Sequence, residues 1–486
     1  MNITEWKSSD SSIDALINKI GKFADIQQTE SYVVGGYIRD RILNREKSEG
    51  SFGKEIDFLV VGDGVRFAEL LSSHLQTRDI TLYRNFGTAL INYNNFKLEF
   101  VGARKESYTP NSRKPIVENG SFEEDIKRRD FTINTLAFSI NEKKYGEIID
   151  TYNGLLDIEN RLIRTPLDPK VTFSDDPLRI MRAFRFASQL NFSVDNFLLE
   201  AAFLMRDRLK IVSSERIVEE FFKIIQSDKP SIGLALMYQT GVMETLYPEI
   251  AAMAGVDQKK EFHHKDVFWH TLQVVDNVAL SSNDVWLRMT ALFHDIAKPV
   301  TKKYEEETGW SFHGHEEIGA RMVKRLFKKY KFPLHEVDYV EKLVRLHLRP
   351  IALVDEEVTD SAIRRLIVGA GDDLEDLIVL CKADITSKNP EKIKEYSANY
   401  EIVVQKIHNV NERDKLRAFQ SPVRGEEIME MFALPPCKGV GIIKNEIEEA
   451  ILEGEIENTY EAAKEYLNQN SERLSKLVAN FRNINK

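Results

Sequence analysis

A chain of 486 residues with 42% hydrophobic and 30% charged side chains is longer than one growing core supports, so three or four domains are expected. No apolar run reaches membrane-spanning length, and the start MNITEWKSSDSS lacks the basic and apolar segments of a signal peptide, so the expected compartment is the cytoplasm with no membrane partner. Two cysteines, Cys381 and Cys437, supply neither a disulfide framework nor a cysteine–metal cluster, and a net charge of −10 argues against unselective coating of nucleic acid.

From residue 31 to about 150, short β-rich runs alternate with polar turns: SYVVGG, IDFLVVG, ITLYRN, ALINY, KLEFVGA and EIIDTYNG, with the helically spaced VRFAELLSSHL among them. This predicts an α/β unit with a small mixed sheet. Gly35 and Gly36 follow the first strand, where backbone N–H groups with no Cβ in the way approach a phosphate closely. A helix begun by YIRDRIL would add its dipole. A tight turn explains the glycines too. Glu55 and Asp57 stand two apart on the next strand, so their carboxylates share one face. Such hard oxygen ligands suit Mg²⁺ bridging them to a triphosphate; an exposed strand face is the plain alternative.

Positive charge then concentrates. Between Arg161 and Phe186 six basic side chains stand against three acidic ones, with Lys127, Arg128 and Arg129 before them and Arg206, Arg208 and Lys210 after. That strip suits one phosphate-rich partner, or a solvated helical surface. Within it, Asp176–Pro177 has the form of an N-cap with proline in the first turn, and Arg179 follows on the same helix face. A carboxylate and a guanidinium held side by side imitate a base edge. Beyond Asp176 amphipathic helices dominate, with QSDKPSIG and YPEIAAMAGVDQKKEFHH reading as joints. Six of the ten histidines lie between His263 and His315. Imidazoles and carboxylates spread over several helices can converge on a divalent metal, or be satisfied by core hydrogen bonds. Near the end, PPCKGVG reads either as a phosphate-facing turn or as a helix–helix joint.

Taken in order, GGYIRD…EID, FGTALI, RRDFTINTLAF, DTYNGLLDI and DDPLRIMRAFRFA resemble the motif series of class II tRNA nucleotidyltransferases, which share the polymerase-β-like superfamily with bacterial poly(A) polymerases. The resemblance implies that Glu55 and Asp57 hold the catalytic Mg²⁺, with Glu55 where the family usually has Asp. Glu99 stands where related enzymes can carry a third acid. Gly35, Gly36 and Arg39 would position the triphosphate, while Arg129, Asp130 and Asn134 would meet the ribose. Asp176 and Arg179, with Arg182, would read the base, selecting CTP and then ATP; Asp175 stands where the family usually has Glu. Arg113 and Lys114 fall in a segment resembling the family's flexible loop, which tilts the expectation toward adding the terminal A as well. The order of His270, His294–Asp295, His315, His347 and Asp384 resembles the HD phosphohydrolase superfamily. His270, His294, Asp295 and Asp384 would be the essential set, with His315 and His347 as ligands of a second metal.

The implied fold is α+β: a polymerase-β-like head over residues 1–150, an all-α neck over 151–255, an HD domain over 256–415 and a helical tail over 416–486. The implied activity is Mg²⁺-dependent addition or repair of the 3′ CCA end of tRNA from CTP and ATP, with tRNA and the two nucleotides as partners and an unidentified divalent metal in the HD site. Partial A or CC addition, poly(A) synthesis and mainly HD phosphohydrolysis are the alternatives.

Overall fold

The structure, a computed structural model, describes residues 11–45, 55–107, 116–256, 266–306, 309–353, 359–386, 389–414 and 421–484. The chain divides into two compact units, Met1–Pro248 and Glu249–Lys486. Arg113 and Lys114 lie outside the described residues.

The first unit is built on a mixed sheet of seven strands. In chain order these are β1 (Ser31–Val34), β2 (Glu55–Val60), β3 (Ile80–Tyr83), β4 (Thr88–Tyr93), β5 (Phe96–Gly102), β8 (Ala137–Ser139) and β9 (Ile148–Ile149). A separate antiparallel hairpin, β6 (Arg104–Ser107) with β7 (Ile116–Asn119), branches off between β5 and β8. The spatial order is β3-β4-β5-β2-β1-β8-β9, with β2 and β5 parallel and the remaining neighbours antiparallel. The β2–β5 register sets Asp57 beside Glu99, and β1 brings Val34 opposite Asp57. Phe58 and Phe100, the next pair, are fully buried and stack at 4.8 Å, which pins that register by apolar packing. The helix Gly64–Leu75, capped by the Asp63 carboxylate on the Arg66 N–H, lies against β4 and β5.

The Leu178–Leu190 helix packs on Ser214–Ile225 and Pro230–Gln239. The neck is not wholly helical: Leu162–Ile163 pairs in parallel with Ser193–Val194. Asn191, in left-handed conformation at φ 55, ends the Leu178–Leu190 helix and turns the chain into that pairing. Two-residue strands carry no period that a sequence reading can detect.

In the second unit, the helices Val267–Ser281, Val285–Phe293, His315–Tyr330, Val337–Leu346 and Leu374–Ala383 surround a core that includes Phe268, Phe293 and Phe327. A short hairpin, Lys303–Glu305 with Gly309–Ser311, interrupts them and was not expected from the sequence. The last helices close a core of their own around Ile443, Ile447, Leu467 and Val478. A Cβ on Gly439 would meet Val478 Cγ1 at 2.6 Å, so the PPCKGVG turn opens a tight helix–helix joint. No helix among the described residues is long and apolar enough to cross a membrane.

Candidate functional site

Strand β2 presents Glu55 exposed and Asp57 half-buried on one side, while Ile56 enters the core. Burial pushes the Asp57 carboxyl up, as does Glu55, while Arg129 pulls it down. Glu99 is likewise pushed up, by burial first and then by Asp57 and Glu55, against a smaller opposing pull from Arg104. Carboxyls penalised by burial and by one another form a donor set that a hard divalent cation satisfies. Gly35, at φ 76, closes the approach: a Cβ there would lie 3.4 Å from Asp57 Oδ2 and 3.5 Å from Arg129 Nη1.

Asp57 and Glu99 line a cavity of about 500 Å³ whose walls also carry Arg129, Asp130, Asp176, Arg179 and Arg182. A volume of that size accommodates a nucleotide-sized ligand. The RRD segment is set by the helix Phe122–Lys127, which opens with a Ser121–Glu124 capping box. Its buried Asp125 receives Arg128 at 2.6 Å and Arg129 at 3.2 Å. Asp130 accepts from Asn134 Nδ2 at 3.0 Å and from Arg182 Nε at 2.8 Å. Although burial pushes the Asp130 carboxyl up, Arg182, the Asn134 amide and Arg179 hold it well below the usual carboxylate range.

Two sets of expected site residues have partners that the sequence does not announce. Arg39 is buried, paired with Asp40 at 2.9 Å and donating to Asn134 Oδ1 at 2.8 Å, so it braces Asn134 rather than lining the cavity. Asp176 and Arg179 both line the cavity, but Asp176 pairs with Arg216 at 3.1 Å and Arg179 donates to the Arg128 carbonyl at 2.7 Å. The carboxylate also accepts from the Leu178 N–H at 3.1 Å, as the N-cap reading required. Arg216 and Asp125 were missed from the sequence; the sole signal for Arg216 was a basic residue on the polar face of SERIVEEFFKII. Beneath this lining, the buried Phe186 ring carries the Arg39, Arg182 and Arg185 guanidiniums at 4.9, 5.5 and 4.3 Å.

The second unit gathers its own polar cluster. His270, His294 and Asp384 form one group of convergent ligand atoms, and Asp295, His315 and His347 another. His294 Nε2 stands 3.2 Å from Asp295 Oδ2, His315 Nε2 stands 3.3 Å from Asp295 Oδ1, and His270 Nε2 stands 2.8 Å from Asp384 Oδ1. Lys298, not expected from the sequence, reaches Asp295 at 2.7 Å. Nε2 of His294, His315 and His347, both Asp295 oxygens and Asp384 Oδ1 are buried facing one another, and their close neighbours besides are Lys298 at Asp295 and His270 at Asp384. Buried polar atoms left that way are costly unless a metal binds them. Burial, reinforced by His294, lowers His347 to about 4, so its imidazole is neutral at pH 7 and able to ligate.

Comparisons with known proteins agree with this geometry. Residues 31–164 match the poly A polymerase head domain, 191–253 the "probable RNA and SrmB-binding site of polymerase A", and 267–388 the HD domain. The A-adding tRNA nucleotidyltransferase of Aquifex aeolicus is 34% identical over 308 residues, 63% of this chain and 35% of that protein's length. The multifunctional CCA protein of Aliivibrio salmonicida is 30% identical over 62% of this chain and 71% of its own. The chain belongs to the family of tRNA nucleotidyltransferases and poly(A) polymerases. It thus falls among nucleotidyltransferase enzymes, with an HD domain in the second unit. Among solved structures, the Thermotoga maritima CCA-adding enzyme complexed with tRNA(CCA) matches with a TM-score of 0.60 at 20% identity, over 96% of this chain and 98% of that one, a likeness of fold.

Proposed function

We propose that the chain is a tRNA nucleotidyltransferase that builds or repairs the 3′ CCA end from CTP and ATP without a nucleic-acid template. The observation that carries this reading is Asp57 in register with Glu99 on the wall of a cavity also lined by Arg129, Asp176 and Arg179. Mg²⁺ held by Glu55, Asp57 and Glu99 would acidify the primer 3′-hydroxyl and neutralise charge on the triphosphate. Gly35 keeps the backbone open beside Asp57, Gly36 follows it beside Arg39, and Arg129 offers charge to the phosphates. Asp130, braced by Asn134 and Arg182, keeps an acceptor for ribose hydroxyls. Asp176 and Arg179 supply the acceptor and donors for the base edge, with Arg216 fixing the carboxylate's direction. The compartment that fits these partners is the cytoplasm.

The convergent ligand atoms of the second cluster, with the HD match, support a divalent metal centre that hydrolyses phosphate esters. Addition of A alone is a second reading, favoured by the name of the Aquifex relative.

Labelled CTP and ATP offered with Mg²⁺ to tRNAs lacking CCA, ending in C and ending in CC test the first activity. Three additions, abolished by Asp57→Ala, are expected. Extension of only the CC-ending tRNA would assign A addition, and no extension of any of them would overturn the reading. Phosphate ester hydrolysis should survive Asp57→Ala and disappear when His294→Ala is combined with Asp295→Ala.

A further inference from the structure

The turn that joins β3 to β4 leaves two aromatic rings in water. Tyr83 is 46% exposed and Phe86 66%, and the exposed Arg84 stands between them in sequence. Arg84 leans on Glu69 at 2.5 Å, a surface pair of the weak kind, so its guanidinium is available to a stronger anion. Exposed rings with a cation among them form the pattern on which unpaired nucleic acid stacks.

The turn borders a second cavity of about 270 Å³, little more than half the volume of the first, lined by Gly62, Arg84, Gly87, Arg104 and Asn119. No described atom lies within 4 Å of where a Cβ would stand at Gly62 or Gly87, so both present bare backbone to open space. The acid in the lining, Asp63, is engaged as the cap on the Arg66 N–H. Arg104 lines both cavities. It stands opposite Asn119 at the root of the β6–β7 hairpin and donates to the Phe86 carbonyl at 2.9 Å, while its charge also acts on Glu99. One guanidinium, held at a fixed place, thus joins the exposed rings to the acids.

Nucleotidyl transfer needs two ligands side by side. The incoming nucleotide takes the larger cavity, and the primer must bring its 3′-hydroxyl to the acids while the phosphates and bases behind that hydroxyl lie further out. We propose, resting on the nucleotidyltransferase reading above, that the second cavity and its turn hold the unpaired 3′ strand of the tRNA primer. Tyr83 and Phe86 stack its bases, and Arg84 and Arg104 take the charge of its phosphodiesters. Stacking accepts any base, which suits a strand whose last residue changes with each addition. Arg104, shared by the two cavities, is the positioning residue that sets the primer phosphate relative to Glu99.

Steady-state extension by the full chain of the tRNAs offered above tests this. Phe86→Ala should raise KM for tRNA about tenfold, the order expected for one stacked base, and leave KM for the nucleotide where it was. Phe86→Trp should restore the parental value. Arg84→Gln should make the dependence of log affinity for tRNA on log salt shallower by about 0.7, the share of one phosphate on a single strand. A Phe86→Ala chain with the parental KM for tRNA overturns the proposal, as does an unchanged salt slope in Arg84→Gln. A Phe86→Ala chain whose KM for the nucleotide rises as much as that for tRNA, or rises alone, also overturns it and assigns the cavity to the triphosphate or the departing pyrophosphate. A parent that extends none of the tRNAs overturns the nucleotidyltransferase reading itself, and the proposal with it.

Discussion

Asp130 and Arg182 meet in a pair that is shielded on one side only: the Asp130 side chain is 9% exposed and that of Arg182 33%. Removing the guanidinium by Arg182→Ala strands a carboxylate at the base of the cavity. The expected loss is about 2 kcal/mol in urea unfolding, below the range for a fully buried pair because Arg182 is partly solvated. The pH dependence has a definite sign. Asp130 is held below its unfolded value, so its contribution is complete above about pH 4 and fades as pH falls through the folded value. The stability gap between the parent and Asp130→Asn should be flat between about pH 5 and pH 8 and close under acid; a gap that widened under acid would contradict the assignment. At this scale the motif residues were legible because their chemistry is local: two acids at strand spacing, and an acid before a proline. Arg216 was not, since its pairing with Asp176 spans 40 residues and exists only through helix packing. Nor was the setting of Arg39 legible. Its neighbours in sequence are the glycines, but its neighbours in space are Asn134 and Phe186.

Among the elements, the alternation of β2 was readable and its neighbours were not. Nothing in the local pattern says that β2 lies between β1 and β5, or that β5 runs parallel to it and so supplies Glu99. The connection of β1 to its following helix has a sharper requirement. Gly35 sits at φ 76, where a side chain is strained, and the space a Cβ would take lies against Asp57 and Arg129. Gly35→Ala should cost about 1–2 kcal/mol in stability yet lower nucleotide incorporation about a hundredfold, because relieving the strain at that φ shifts backbone lying directly against Asp57. Equal losses of stability and activity would mean that the glycine serves only the turn.

At the scale of the whole molecule, each of the two units closes a core of its own, and the sites fall one to each: the acids and the nucleotide-sized cavity before Pro248, the histidine cluster after Glu249. Scanning calorimetry should resolve two transitions. Asp130→Asn should lower one of them, and a chelator such as EDTA, by withdrawing ions from the histidine cluster, should lower the other. A single transition moved by both treatments would show that the units unfold together. The fold class and the order of the head, RNA-binding and HD segments were legible from the order of motifs. The exact hydrogen-bond economy of each site was not, because it depends on which side chains packing leaves without partners.

Phe186 has a further consequence, for inheritance. One ring carries three guanidiniums, those of Arg39, Arg182 and Arg185. A change at any of these four positions alters what the others rest on, so their effects should not add. In descent, substitutions at these sites would be tolerated in some genetic backgrounds and rejected in others, and the order in which they arose would matter.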